Sequence, residues 1–129
     1  MKQRISHKAC VAEICRVCTQ MAIAAKAGYC VKLNGQYVYV DVAAWLNGRF
    51  VAVEVETTVR NVGFTVAKAR QLGAILWIVV PRRKLRGQMT HKLKKLGICC
   101  NNGRFKVLVH SQVEQELTNY LSQSKPANC

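Results

Sequence analysis

Hydrophobic and polar positions in the first half of the chain switch from a helical period to a strand period. From the expected N-cap Ser6, apolar residues recur at helical spacing up to residue 26, and Gly28 is typical of a residue that ends a helix. Three strands are then predicted, over residues 29–33, 36–46 and 49–57. The pairs Asn34-Gly35 and Asn47-Gly48 between them are strong signals for two-residue hairpin turns.

The second half alternates helices with strands. A helix is predicted over residues 61–72, closed by Gly73, and the continuous apolar run 74–80 is typical of a strand buried on both faces. Pro81 ends that strand. The remaining predictions are a basic loop (82–86), a helix (88–96), two strands (98–100 and 104–109), a helix (110–122) and a loose tail (124–129). This order of elements predicts a mixed α/β layer fold.

Length and composition indicate one globular domain over residues 1–129. Half of the 129 residues are hydrophobic, which excludes a disordered chain, and no apolar stretch is long enough for a membrane span. The start shows no signal peptide, so we expect an intracellular, cytoplasmic and reducing location. The seven cysteines include the zinc-type spacing Cys15-x-x-Cys18, but this pair falls in an apolar helix without a second such motif, which favours cysteines that pack in the core.

The charge balance is strongly basic. Twenty Lys and Arg against six Asp and Glu give a net charge of +14, which indicates a polyanionic partner. The basic residues are spread along the chain rather than concentrated on one amphipathic helix, which favours nucleic acid over a membrane surface. Phosphate contacts are expected from the densest basic tract, with a solubilising surface as the alternative. Its candidate residues are Arg82, Arg83, Lys84, Arg86, Lys92, Lys94 and Lys95.

Three of the six acidic residues are predicted to converge. Asp41 interrupts an apolar strand, and Glu54 and Glu56 lie two residues apart on the next strand, on one face of it. The Asn47-Gly48 turn places Asp41 roughly opposite them. Carboxylates held this close repel unless a cation or a proton neutralises them, and Mg²⁺ prefers such ligands together with water and phosphate oxygens. The alternative is the solvent-exposed face of an edge hairpin, with Arg49, Lys32 or Arg60 as surface ion-pair partners.

The order of elements over residues 6–80, with Asp41 and Glu54-Val55-Glu56, resembles the PD-(D/E)xK nuclease superfamily. The resemblance implies a restriction-endonuclease-like core (αβββαβ), here followed by an α-β-β-α extension. It implies a metal-dependent DNA endonuclease in which Asp41, Glu54 and the carbonyl of Val55 hold Mg²⁺ or Mn²⁺. Glu13 is similar in place to a further glutamate of the archaeal Holliday-junction resolvases, which implies an additional metal ligand, structure-selective cleavage of junction or branched DNA, and a homodimer.

One position departs from the family's pattern, because Glu56 stands where the family has lysine. In some branches the basic residue lies on the following helix, where Lys68 is the candidate and Gln71 resembles a glutamine of those branches. Glu56 is then a candidate for binding a second metal ion, and a lysine that faces DNA or solvent is the alternative interpretation of Lys68. A protein that has lost catalysis and only binds nucleic acid is the second functional hypothesis. An RNA-directed nuclease is the third.

Overall fold

The computed structural model describes residues 6–100 and 103–123. Its elements in chain order are α1 (His7–Gln20), β1 (Ala24–Leu33), β2 (Gln36–Leu46), β3 (Arg49–Val55), α2 (Val62–Leu72), β4 (Ile75–Val80), α3 (Arg83–Lys95), β5 (Phe105–Val109), a 3-10 turn (His110–Gln112) and α4 (Val113–Gln123). The five strands form one sheet in the order β1-β2-β3-β4-β5. β1, β2 and β3 are antiparallel neighbours, whereas β4 and β5 run parallel to β3. The protein is therefore an α/β protein with a mixed sheet flanked by helices, as the sequence predicts.

Two apolar layers cover the two faces of the sheet. Helices α1 and α4 pack on one face, and helices α2 and α3 pack on the other. Strand β3 contributes to both layers, because Val51, Val53 and Val55 face α1 and Ala52 faces α2. This alternation was predicted, and it sends the side chain of the next even residue, Glu54, towards α2. No helix of the described ranges is long and apolar enough to cross a membrane.

Both Asn-Gly pairs form the predicted hairpin turns. Asn34 and Asn47 have φ angles of 51° and 52°, and each following glycine has a φ of 80°. Positive φ at both central residues is the geometry of a type I′ turn, which fixes the register of the flanking strands. The second turn sets Val42 opposite Val53, and the next position towards the open end brings Asp41 beside Glu54.

The side-chain alternation of β2 changes phase at Asp41. Val40 packs in the layer that contains α2, whereas Val42, two residues later, packs in the layer that contains α1. On β1 the same level of the sheet is occupied by Gly28, whose φ of 58° is readily adopted by glycine. The two strands therefore bend together at this level, and Asp41 lies at the bend.

Residues 29–40, beyond this bend, form a two-stranded extension that we call the hairpin arm. Its strands pair with each other, and the β2–β3 ladder has already ended at Val42. Tyr29 pairs with Val40, five residues along β2 from Trp45, yet the rings of Tyr29 and Trp45 lie 5.4 Å apart. The arm therefore curls towards the face of the sheet that α2 covers.

The first helix is shorter than predicted. Ser6 is its N-cap, with its hydroxyl accepting a hydrogen bond from the N–H of Ala9, as expected. The helix ends at Gln20 rather than near residue 26, because Ala22 takes a left-handed conformation with a φ of 58°. The prediction that Gly28 ends this helix is wrong, since Gly28 lies inside β1.

Two predictions in the C-terminal half are also wrong. Residues 83–86 are not a loop but the first turn of α3, which buries Leu85, Met89 and Leu93 at a spacing of four residues. Residues 98–100 form no strand, because the N–H of Ile98 donates to the carbonyl of Leu93 and closes the end of α3. The predicted α-β-β-α extension is therefore α-β-α within the described residues, and the predicted tail 124–129 lies outside them.

Candidate functional site

Glu54 is the most buried carboxylate among the described residues. It lies on the central strand and is only 4% exposed. Its Oε2 atom lies 2.9 Å from Nζ of Lys68, whose side chain reaches back from α2 and is itself 12% exposed. The interpretation of Glu54 as part of a solvent-exposed hairpin face is therefore wrong, and the solvated-lysine interpretation of Lys68 is wrong with it.

Burial raises the pKa of Glu54 to about 7. Lys68 opposes this rise through its positive charge, and a hydrogen bond from the Asp41 backbone also lowers the pKa, while the negative charge of Asp41 raises it. Oε2 has Lys68 as its ionic partner but receives no well-directed hydrogen bond. The carboxylate is thus poorly compensated, and an additional cation beside it would favour its charged form.

This pKa predicts a pH dependence of stability. Because the pKa of Glu54 rises from 4.5 to about 7 on folding, the unfolded chain releases the proton at lower pH than the folded chain does. The stabilisation from the neutral form is fully present below pH 4.5 and is lost as the pH rises through 7, by up to roughly 3 kcal/mol. Urea unfolding of the wild type and Glu54→Gln across this range measures the effect. Parallel stability curves for the two proteins would contradict it.

Asp41 connects the start of α1 to the end of β3. Its Oδ2 accepts a hydrogen bond of 2.8 Å from the N–H of Val55 and lies 3.1 Å from Nε2 of His7. The carboxylate replaces the backbone partner that β2 no longer supplies at this level of the sheet. No local pattern in the sequence marks His7 as part of this site, because the contact joins residues 34 positions apart.

Glu56 follows directly after β3 and is also held by α2. Its Oε2 accepts a hydrogen bond of 2.9 Å from the hydroxyl of Thr65, and burial raises its pKa. Lys68, three residues after Thr65 on the same helix, also donates to the carbonyl of Tyr39 at 2.7 Å. One face of α2 therefore positions both glutamates and ties the site to the hairpin arm.

The predicted ligand Glu13 is not brought into this cluster. Its carboxylate accepts a hydrogen bond of 3.0 Å from Nε of Arg16 and has a second contact with the same guanidinium, which holds the pKa of Glu13 below its usual value. Glu13 instead lines a groove of about 440 Å³ between α1 and α4, together with His110 and Glu114. Gln71 lies exposed near the end of α2.

The basic tract divides into two groups at opposite edges of the sheet, where edge means the level at which the parallel strands β3 and β4 begin or end. Because β3 and β4 are parallel, the residues that follow β4 lie at the same edge as those that follow β3. Arg82, Arg83 and Lys84 are exposed there, on the edge of the candidate site. Helix α3 then runs back, and its rise of about 1.5 Å per residue carries Lys92, Lys94 and Lys95 to the far edge. Arg86 is half-buried and donates to Gln112 at 3.0 Å.

The donor set fits a metal ion that is shared with a phosphate better than an ion enclosed by protein. Within residues 6–100 and 103–123, no three His, Cys, Asp or Glu side chains converge closely enough to hold a metal ion. Asp41 and Glu54 nevertheless supply hard oxygen ligands, and Glu54 Oε2 lacks a directed hydrogen bond. Mg²⁺ typically takes one or two carboxylates and fills its other positions with water and phosphate oxygens.

Comparisons with known proteins give the fold and no activity. No family model matches the chain, and no curated protein matches it. Among solved structures, the chain is similar to the protein of unknown function AF1548, with a TM-score of 0.58 and 17% identity, over 88% of this chain and 64% of that one. It is also similar to protein VC1899 from Vibrio cholerae, with a TM-score of 0.55 and 16% identity, over 90% of this chain and 32% of that one. The chain thus spans about two thirds of the first protein and one third of the second.

Proposed function

We propose that the protein is a metal-dependent DNA endonuclease with a restriction-endonuclease-like core of the PD-(D/E)xK type. The observation that supports this most is the burial of Glu54 on the central strand, next to Asp41 and in ion-pair contact with Lys68. A buried acid that is half compensated by one lysine is a costly arrangement, and perturbed groups of this kind cluster at functional sites.

The roles follow from the positions of the side chains. Asp41 and Glu54 would hold Mg²⁺ or Mn²⁺, which supplies a bound water of lowered pKa and neutralises the scissile phosphate. Lys68 carries the positive charge that the family places two residues after the second acid, and stabilises charge that develops on the phosphate. Glu56 is oriented by Thr65 towards the same cluster. Arg82, Arg83 and Lys84 bind the DNA backbone beside it.

The experiment is nicking of supercoiled plasmid and cleavage of a four-way DNA junction by the full chain with Mg²⁺ or Mn²⁺, with EDTA as control. We expect metal-dependent cleavage and a preference for the junction. Symmetric junctions suit a homodimer, which light scattering in the presence of the junction tests. Preferential cleavage of matched RNA substrates would favour the RNA-directed nuclease.

A non-catalytic nucleic-acid-binding protein is the second candidate. It is favoured by Glu56 in place of lysine and by the two contacts that already engage Lys68, with Glu54 and with the Tyr39 carbonyl. Binding of junction DNA with no cleavage under any divalent ion would select this candidate over the nuclease.

The division of the basic tract predicts unequal contributions to DNA binding. Contact with about six phosphates gives a slope of log K against log salt near −5, and replacing Arg82, Arg83 and Lys84 with alanine should flatten that slope by about two to three units. The matched control replaces Lys92, Lys94 and Lys95, which lie at the far edge, and should change the slope by less than about one unit. Fluorescence anisotropy at several salt concentrations measures both. An equal effect of the two triple variants would place the DNA elsewhere.

A further inference from the structure

The hairpin arm presents two exposed aromatic rings on one face. Tyr37 and Tyr39 are 66% and 62% exposed, although large aromatic side chains are usually buried. They lie directly opposite Lys32 and Cys30 in the β1–β2 register. Nζ of Lys32 lies 5.8 Å from the centre of the Tyr37 ring. The strand pairing fixes the backbone positions of both tyrosines, while most of each side chain remains exposed.

This aromatic surface is connected to the candidate active site. Val40 packs on the side of α2, so alternation along the strand turns Tyr39 to the opposite side, where α1 lies. At the base of the arm, a groove of about 210 Å³ runs between the start of α1 and Gly28, and Asp41 forms part of its wall. The backbone carbonyl of Tyr39 accepts the hydrogen bond from Lys68. A strand bound along this face of the arm therefore reaches the groove beside Asp41, whereas Glu54 points to the other side of the sheet, towards Lys68 on α2.

The charge of the arm selects among possible occupants. Residues 29–40 contain Lys32 and no acidic residue, and Lys8 lines the adjoining groove. A second copy of the chain would bring the same positive charge against itself. Exposed rings among lysines match instead the two features of a single nucleic-acid strand, namely flat bases that stack and phosphates that attract cations.

We propose that the hairpin arm binds unpaired bases of DNA by stacking them on Tyr37 and Tyr39, with Lys32 and Lys8 on the adjoining phosphates. This inference rests on the proposed function of the site, and it adds a substrate class: DNA with a single-stranded segment beside the scissile bond. Stacking of this kind tolerates any base sequence, because every base has a π-face.

The test is anisotropy of a labelled 15-nucleotide oligothymidine and of a blunt duplex, with the full chain in EDTA so that nothing is cleaved. Tyr37→Ala and Tyr39→Ala should each weaken binding of the single strand by about tenfold and binding of the duplex by less than about twofold. Tyr37→Phe keeps the ring and should bind the single strand like the wild type. Phe64→Ala removes a ring that is 69% exposed on α2, outside the arm, and should bind the single strand like the wild type.

A second measurement uses the unaltered protein. Cys30 lies on the aromatic face, whereas Cys99, also exposed, follows α3 far from the arm. Oligothymidine should slow alkylation of Cys30 severalfold and leave that of Cys99 unchanged, as measured by mass spectrometry of the peptides.

Several outcomes would overturn the proposal. One is an equal loss of affinity for the single strand and for the duplex in Tyr37→Ala and Tyr39→Ala. Another is tighter binding of oligouridine than of oligothymidine by the wild type. A third is a wild-type dimer in light scattering that Tyr37→Ala and Tyr39→Ala dissociate. Failure of the arm and failure of the site are separable. Normal junction cleavage with no effect of the tyrosine variants would support the nuclease and contradict base stacking on the arm. Tyrosine-dependent binding of the single strand without any cleavage would support base stacking and contradict the nuclease.

Discussion

Glu54→Gln and Asp41→Asn are each expected to lower metal-dependent cleavage by about three decades. Both substitutions keep the shape of the side chain and remove one hard, charged ligand from the Asp41–Glu54 pair, and within the described residues no set of three such ligands converges to hold the ion instead. DNA binding should stay equal or become tighter, because one fewer carboxylate faces the phosphate. Plasmid nicking and anisotropy on the same preparations measure the two effects.

The matched control is Glu13→Gln. Glu13 has the same chemistry as Glu54, but it is paired with Arg16 on α1 and lies outside the cluster. Cleavage by this variant should stay within about twofold of the wild type. If Glu13→Gln lost activity and Glu54→Gln retained it, the assignment of the metal-binding pair would be wrong.

Stability must be followed in the same experiment. Glu54→Gln leaves the ammonium of Lys68 without its carboxylate, although Lys68 keeps the carbonyl of Tyr39 as a hydrogen-bond partner. Because the pKa of Glu54 is already about 7, the carboxyl is largely neutral at pH 6, and the variant should unfold there at nearly the wild-type urea concentration. Loss of cleavage at that pH is then a loss of chemistry rather than of fold.

The β2–β3 hairpin and strand β4 could be predicted from the sequence because the signals for them are local. The Asn47-Gly48 turn fixes a register by itself, and that register brings Asp41 beside Glu54. The unbroken apolar run before Pro81 indicates a strand covered on both faces, and Trp77 within it is fully buried. Each of these inferences needs only a few neighbouring residues.

The misplaced boundaries have identifiable physical causes. Residues 21–27 are apolar except for Lys26 and fit a helix as well as a strand. The residue that ends α1 is Ala22, and nothing in the identity of an alanine predicts its left-handed conformation. The first turn of α3 is predicted as a loop because most of its residues are basic. The spacing of Leu85, Met89 and Leu93 is the signal in the sequence that indicates a helix over this turn.

The site itself was only partly predictable, because its contacts join distant segments. Convergence of Asp41 with the two glutamates follows from a hairpin. The approach of Lys68 to Glu54 is only one of the two interpretations of this lysine that the sequence allows. The contact of His7 with Asp41 and that of Lys68 with the Tyr39 carbonyl depend on where α1 and α2 pack on the sheet. Such packing is set by the whole core and leaves no mark in a short sequence window.

Lys68→Ala is the other substitution from which we expect a large effect. If Lys68 supplies the charge that the family places on the third strand, its removal should lower the cleavage rate by two to three decades. Binding should fall far less, because Lys68 is one of twenty Lys and Arg residues. The matched control Lys94→Ala removes an exposed lysine at the far edge and should leave the cleavage rate unchanged.

The substitution Glu56→Lys makes this role testable. It places a lysine two residues after Glu54, which is the spacing of the PD-(D/E)xK pattern, and it should preserve or raise activity by itself. Since Glu56 is influenced by the charges of both Lys68 and Asp41, a lysine at this position lies in the field of the same carboxylates. The double variant Glu56→Lys with Lys68→Ala should therefore recover a large part of the lost rate.

The recovery separates a catalytic charge from a structural one. Glu56→Gln removes the negative charge without adding an ammonium, and combined with Lys68→Ala it should recover little. If the two double variants behave alike, the recovered rate reflects relief of repulsion among Asp41, Glu54 and Glu56, and Lys68 acts by holding Glu54 in place. If instead only the lysine restores cleavage, the chain needs one ammonium beside the metal-binding pair and accepts it from either β3 or α2, which is what the geometry of Lys68 over Glu54 leads us to expect.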